Sequence, residues 1–289
     1  MNLHPLHPAA WVLDQLRTDG WQVSDLLAFT RASTLVTAHR DGDRQPVVLK
    51  AGFGSNHVLA ELPTDQRSAA YGFYWYVQMT DAERALARED FRHEADLTRA
   101  ASGTEHVVPL LDHGTGERFD WYTMPLCDGG NFRTFMASGK DTDEGLNILA
   151  DVAEGLIALH QRGIVHRDVY QENILIHGGR GLITDLGAAR RLSTERGPEH
   201  RGPEVHWPPE YLTGYHQAGP AADVFSLAVL IYRYLCADIP RLGGHANLAL
   251  IPAVLRTLVV AALADQGGDR PAMSDLAAAL RTAVRTIQH

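Results

Sequence analysis

The chain runs to 289 residues, long enough to bury its own core without staples. At roughly 150 residues per domain it suggests one large domain or two lobes. Hydrophobic residues make up 45% and charged residues 21%, which excludes a disordered or fibrous chain; a formal charge of −9 argues against nucleic acid or an anionic membrane as the main partner.

Met1 to Pro8 lack a basic segment followed by an apolar core, so they do not read as a secretory signal. Residues 9 to 19 place apolar side chains at 12, 13 and 16, a helical spacing that Gly20 ends. This predicts an N-terminal extension, 1–24, with one short helix. From Leu26 to Ala51 the character turns β-rich, and Asp41-Gly42-Asp43 between two such runs is a hairpin signal. Residues 52–80 resist assignment and hold an aromatic run at 71–77, read equally as small-lobe packing or as a docking surface for a partner or a second copy. Thr80 or Asp81 then caps a long helix through Phe91, Glu94 and Leu97 toward Ala101.

Two short strands are expected near 107–111 and 118–124. Beyond Gly130 the pattern is helical: apolar positions 146, 149, 152, 156 and 159 form a stripe over 143–161. Segments 222–235, 251–263 and 274–286 follow in the same style. The apolar window 246–264 carries Pro252 and Arg256, and it reads as a buried helix, not a membrane span. Arg196 to His200 and Arg201 to Val205 repeat one short motif, read as a polar loop. A β-rich first third and a helical remainder describe an α+β, two-lobed chain. Cys127 and Cys236 are too few for a disulfide framework and fit a reducing, cytoplasmic setting. Fifteen histidines lack paired ligand spacing, so no zinc site is expected.

The chemistry concentrates in 164–187. An apolar strand leads into His166-Arg167-Asp168, Asn173 follows five residues later, and Ile183-Thr184-Asp185-Leu186-Gly187 places a second aspartate after another apolar strand. Asp168, Asn173 and Asp185 offer oxygen atoms suited to Mg²⁺ carrying a nucleotide. One aspartate remains to accept or orient the proton of an attacking hydroxyl.

In these motifs the chain resembles the protein-kinase superfamily, especially the Ser/Thr kinases of bacteria and eukaryotes. Pro208-Pro209-Glu210, Asp223 and Arg270-Pro271 continue the resemblance in order, as does Val47-Val48-Leu49-Lys50 upstream. The resemblance implies a bilobal fold, with an N-lobe over 25–126, an insertion at about 52–80 and a C-lobe over 127–289. It implies that ATP and Mg²⁺ are bound, with Asn173 and Asp185 as metal ligands and Asp168 orienting the acceptor hydroxyl. Lys50 is expected to grip the phosphates, paired with a glutamate: Glu94 fits the helix register best, ahead of Glu89 and Glu105. Asp223 is expected to brace the catalytic loop and Arg270 to pair with Glu210. At the hinge, Met124 is the gatekeeper, the Pro125 carbonyl and Cys127 amide serve the adenine edge, and Leu35, Val48 and Leu175 contact its faces.

Two departures stand out. The phosphate-covering stretch 27–35 has no glycine, which shifts phosphate contacts to the side chains of Thr30, Arg31, Ser33 or Thr34. Tyr170 occupies the place of the lysine two residues after the catalytic aspartate, and Pro203 that of the threonine before Pro-Pro-Glu. Ser193 and Thr194 are candidate phosphoacceptors, with Arg167, Arg190 or Arg191 as partners for the phosphate. The leading reading is transfer of the ATP γ-phosphate to a protein serine or threonine. The alternatives are a nucleotide-binding scaffold or regulator without turnover, and a kinase for a small molecule.

Overall fold

The computed structural model describes residues 8–30, 33–40, 42, 45–52, 80–116, 119–139, 141–194, 204–240 and 247–287. The aromatic run 71–77, the insertion 53–79, Arg31, Pro203 and the repeat at 196–203 lie outside the described residues. The chain divides into two compact units, one of 1–99 with 109–126 and one of 100–108 with 127–289.

The first unit is built on a five-stranded antiparallel sheet in the order β1-β2-β3-β5-β4. Its strands are β1 (Trp21–Phe29), β2 (Ser33–Arg40), β3 (Val47–Gly52), β4 (Asp112–Thr115) and β5 (Asp120–Pro125). Alternation along the strands sorts the side chains onto two faces. Val36, Ala38, Leu49, Ala51 and Trp121 cluster with Val12, Leu13 and Leu16 of helix α1 (Pro8–Thr18). The other face carries Leu35, Val48, Lys50, Tyr122 and Met124, aligned through the pairs Leu35 with Lys50, Lys50 with Tyr122, and Val48 with Met124. Helix α2 (Asp81–Ala101) meets this second face. Gly52 is required there, because a Cβ at that position would sit 2.6 Å from the Phe91 ring.

Helix α2 begins with a capping box. Thr80 Oγ1 accepts from the Glu83 amide at 3.2 Å, and Glu83 Oε2 accepts from the Thr80 amide at 2.6 Å. Its register on the sheet is set by Asp120, which accepts from Arg88 Nη2 at 2.8 Å and Arg92 Nε at 2.6 Å. Burial raises the Asp120 pKa, but the hydrogen bonds and charges of the two arginines outweigh it and hold it below the usual carboxylate range.

The second unit is helical, with α3 (Phe132–Ala137), α4 (Thr142–Gln161), α5 (Tyr211–Gly214), α6 (Pro220–Cys236), α7 (Ala253–Ala262) and α8 (Met273–Ile287). Its core runs along α4 and α6, with Leu146, Leu149, Val152, Leu156 and Leu159 of the first and Leu227, Leu230 and Ile231 of the second all fully buried. Two short strand pairs flank the helices: β6 (Ile164–Val165) pairs with β9 (Arg190–Arg191), and β7 (Ile174–His177) with β8 (Arg180–Ile183).

Three expectations need correction. Residues 107–111 form no strand; Val107 makes a single parallel bridge to Ile183, and the strand lies at 112–115. Val107 and Val108 are buried beside β8, the Val108 amide donating to the Ile183 carbonyl at 3.0 Å, while Leu111 is exposed. Helix α3, capped by Asn131 accepting from the Thr134 amide, was not anticipated. The window 246–264 is not one helix, since α7 starts only at Ala253, after Pro252. Among the described residues no helix is long and apolar enough to cross a membrane.

Candidate active site

In the first unit, β3 and α2 bring Lys50 and Glu94 together across 44 positions of sequence. Lys50 Nζ lies 2.5 Å from Glu94 Oε1, with both residues buried. Of the three glutamates weighed from sequence, Glu94 is the one Lys50 meets. Tyr122, the register partner of Lys50, donates its hydroxyl to the same oxygen at 2.5 Å. Sequence reasoning missed Tyr122. Its two-residue spacing from Met124 on one strand face was the available signal.

Within the glycine-free stretch, Thr30 and Ser33 are bonded to one another. The Thr30 amide donates to the Ser33 carbonyl at 2.8 Å, and the Ser33 amide donates to Thr30 Oγ1 at 3.0 Å. Ser33 is buried, and Thr34 is fully buried. This corrects the expectation that Thr30, Ser33 and Thr34 side chains hold phosphate: they close the turn or point into the protein. Leu35 is half-buried, while Val48 and Met124 are buried.

In the second unit, the loop after β6 is a hydrogen-bonded assembly. Asn173 Nδ2 donates to the Asp168 carbonyl at 2.9 Å and to Asp168 Oδ2 at 2.8 Å, which fixes the carboxamide's orientation. His166 Nδ1 accepts from the Asp168 amide at 3.2 Å, and Nε2 donates to the Thr184 carbonyl at 2.9 Å. The Thr184 amide returns to the Asn173 carbonyl at 2.9 Å. These links bring Asp185, the next residue, to the same loop. Asp185 is exposed and left-handed at φ 64°, with Oδ1 accepting from the Gly187 amide at 3.2 Å. Left-handed backbone at a non-glycine residue is costly and persists where neighbours impose it; Arg167 shares the feature at φ 67°.

Asp223 of α6 supplies that constraint at Arg167. Its Oδ1 accepts from the Arg167 amide at 2.7 Å, and its Oδ2 accepts from the His166 amide at 2.9 Å and His160 Nε2 at 2.7 Å. Full burial raises the Asp223 pKa, yet the His160 hydrogen bond and neighbouring donors lower it below the usual value. Arg270 makes a two-pronged pair with Glu210 at 2.6 and 2.8 Å. Leu175 alternates with buried Ile174 and Ile176 and is half-buried. Burial, then Asp128, pushes the Cys127 thiol up to about 11, so it is a neutral thiol and not a nucleophile at physiological pH. Pro125 ends β5.

Two of the three arginines expected to receive a phosphate, Arg167 and Arg190, are committed to other partners. Arg167 is 1% exposed, its Nε donating to the Ala188 carbonyl at 2.7 Å and its guanidinium stacked on Tyr215. Arg190 is buried and donates to the His216 and Thr194 carbonyls. Elsewhere, His106, Asp151 and Glu154 approach one another as metal ligands do. Arg180 and Arg281 already match their charge, Arg281 reaching Asp151 Oδ1 at 2.5 Å.

The model of the protein kinase domain matches residues 74–268. The chain belongs to the protein kinase family. The chain is 30% identical to the serine/threonine-protein kinase PkaB of Streptomyces coelicolor, over 73% of this chain and 59% of that one. It is 31% identical to PknJ of Mycobacterium tuberculosis, over 70% of this chain and 35% of the relative. Against the zebrafish serine/threonine-protein kinase pim-2 the identity is 30%, covering 79% and 87%. The chain therefore spans 59% and 35% of the length of these two bacterial relatives.

Proposed function

We propose that this kinase domain transfers the γ-phosphoryl group of ATP, in the presence of Mg²⁺, to a serine or threonine hydroxyl of a protein. The observation that carries the reading is the loop assembly in which Asn173 orients Asp168 while Thr184 ties Asp185 alongside. Asp168, held by Asn173 Nδ2, is suited to orient an acceptor hydroxyl and take its proton. With both protons of Nδ2 committed, Asn173 presents Oδ1, and Asp185 presents a carboxylate. These are hard oxygen donors of the kind magnesium prefers. A bound magnesium ion would neutralise charge on the phosphates.

Lys50 supplies the cation for the α- and β-phosphates, and Glu94 fixes the direction of its amine. Leu35, Val48 and Met124, which share a sheet face with Lys50, offer apolar contacts for adenine within the first unit. The Pro125 carbonyl and Cys127 amide are its polar partners. Because Thr30 and Ser33 are bonded to one another, grip on the phosphates rests on Lys50 and the metal ligands.

Incubation with γ-labelled ATP tests this, with Asp168→Asn as control. Label on serine or threonine of the chain or of a protein acceptor, requiring Mg²⁺ and lost in the variant, is the expected result. ATP binding with no transfer would instead mark a nucleotide-binding regulator. Turnover that needs a small-molecule extract would mark a different acceptor class.

A further inference from the structure

The second unit holds a cavity of about 670 Å³ where the end of α4, the start of α6 and the start of α8 meet. That volume lies within the usual range of a small-molecule site. Its walls are mostly apolar, with Ile157, Val224, Pro271 and Met273 among them. Two chargeable side chains, Arg270 and His160, also line it. Gln161 and Ser274, the other polar walls, are exposed and already hydrated.

A guanidinium has five N–H donors, and Arg270 has committed all five. Nη1 and Nη2 each give one to Glu210; the other three reach the carbonyls of Ala221, Ala264 and Asp265. Its charge is matched, and its side chain is sealed from solvent. An anion entering the cavity would lose hydration and find no free donor on Arg270. His160 is different. Nε2 is committed to Asp223 Oδ2 at 2.7 Å, but Nδ1 makes no hydrogen bond among the described residues. In the neutral ring the proton lies on Nε2, facing Asp223, so Nδ1 keeps its lone pair.

The cavity thus offers an apolar bed, no unmatched charge and one imidazole acceptor. Its complement is an uncharged apolar molecule with a hydrogen-bond donor. Met273 favours an aromatic body, because a thioether packs well against rings. A donor on Nδ1 also holds the tautomer whose Nε2–H faces Asp223 and strengthens that bond. Asp223 in turn accepts from the His166 and Arg167 amides, so two hydrogen bonds join the cavity to the loop that carries Asp168.

We propose that this cavity binds a neutral aromatic molecule bearing one O–H or N–H donor, which sits on His160 Nδ1 and firms the catalytic loop through Asp223. The consequent rise in phosphotransfer rests on the kinase reading above; the binding and the firming do not.

Calorimetric titration of the full chain at pH 8 uses 4-hydroxybiphenyl, with 4-methoxybiphenyl and biphenyl-4-carboxylate as comparators. The hydroxyl compound should bind about tenfold more tightly than either, the scale of one hydrogen bond. Ala272→Trp narrows the cavity from an exposed wall and should abolish binding, while thermal melting shows the variant folded. Hydrogen exchange on the unaltered chain is the second readout: bound 4-hydroxybiphenyl should slow the His166 and Arg167 amides several-fold and leave α2 unaffected. No binding, equal binding of all three compounds, binding unchanged in Ala272→Trp, or unslowed amides would each overturn the proposal. In the labelled-ATP assay the compound should raise kcat at unchanged KM for ATP. Slowed amides with unchanged kcat would overturn control of catalysis from this cavity. Slowed amides in a chain that transfers no phosphoryl group would sink the phosphotransfer reading and leave the binding site standing.

Discussion

Tyr122 and Lys50 converge on a single oxygen of Glu94, each at 2.5 Å, from adjacent strands of one sheet. Glu94 is buried, so losing Lys50 to a phosphate would strip a desolvated carboxylate of its cationic donor. The Tyr122 hydroxyl keeps one donor on it. The lysine can then turn toward a nucleotide without leaving an orphaned charge behind.

Tyr122→Phe isolates this role. The ring stays 5.5 Å from Phe91, so packing is preserved and only the hydroxyl is lost. Removing one hydrogen bond to a charged group should lower stability by about 1–3 kcal/mol in urea titration. KM for ATP should rise several-fold, with a smaller change in kcat. A variant with unchanged stability and unchanged KM would show that Lys50 alone positions Glu94.

Asp223→Ala tests the brace on the catalytic loop. It orphans the buried amides of His166 and Arg167 and removes the partner of His160. Leaving several buried donors unpaired should cost on the order of 3 kcal/mol or more. Hydrogen exchange at the two amides should accelerate far more than at α8, which does not touch the loop through Asp223. Uniform acceleration across the second unit would mean that the aspartate serves global stability only.

Most of the site was legible because its residues keep fixed short spacings within one loop, as Asp168 and Asn173 do. The pairing of Lys50 with Glu94 was legible in part, since helix register ranked Glu94 first across an unreadable intervening stretch. Tyr122 and His160 were not legible. Each acts through a partner far away in the sequence, fixed by strand register in one case and helix packing in the other. Thr30 and Ser33 show the same limit from the other side. Absence of glycine was plain, but only the backbone geometry shows Thr30 and Ser33 bonded to one another and not offered outward. Val107 and Val108 misled because a β-like apolar pair is equally satisfied by packing beside β8.

Gly155→Ala sets helix propensity against space. In an exposed helix interior this change should stabilise by about 1 kcal/mol. On α4, however, a Cβ at 155 would lie 2.5 Å from the His106 carbonyl oxygen, a backbone atom that cannot rotate away. His106 itself sits at φ 61°, so its local chain has little freedom to yield. Net destabilisation of roughly 1–3 kcal/mol is expected. A variant more stable than the parent would show that the approach of 106 to α4 is soft.

His206 should write a signature into stability at mildly acid pH. Burial, and next the Arg233 charge, lower its pKa to about 4 in the folded chain, against an ordinary 6.5. Below 6.5 the unfolded chain therefore binds a proton that the folded chain refuses. The stabilisation from the neutral buried ring is complete above about pH 6.5 and is lost progressively as pH falls toward 4. Over that window the loss should reach on the order of 3 kcal/mol. Arg233 Nη1 donates to His206 Nε2 at 2.7 Å, so replacing His206 with Gln retains an acceptor for Arg233 and removes the titration. The difference between the two urea-derived stability profiles should be flat above pH 6.5 and should close as the pH approaches 4. Parallel profiles throughout that range would mean that the imidazole titrates as it does in water, and that Arg233 does not face it.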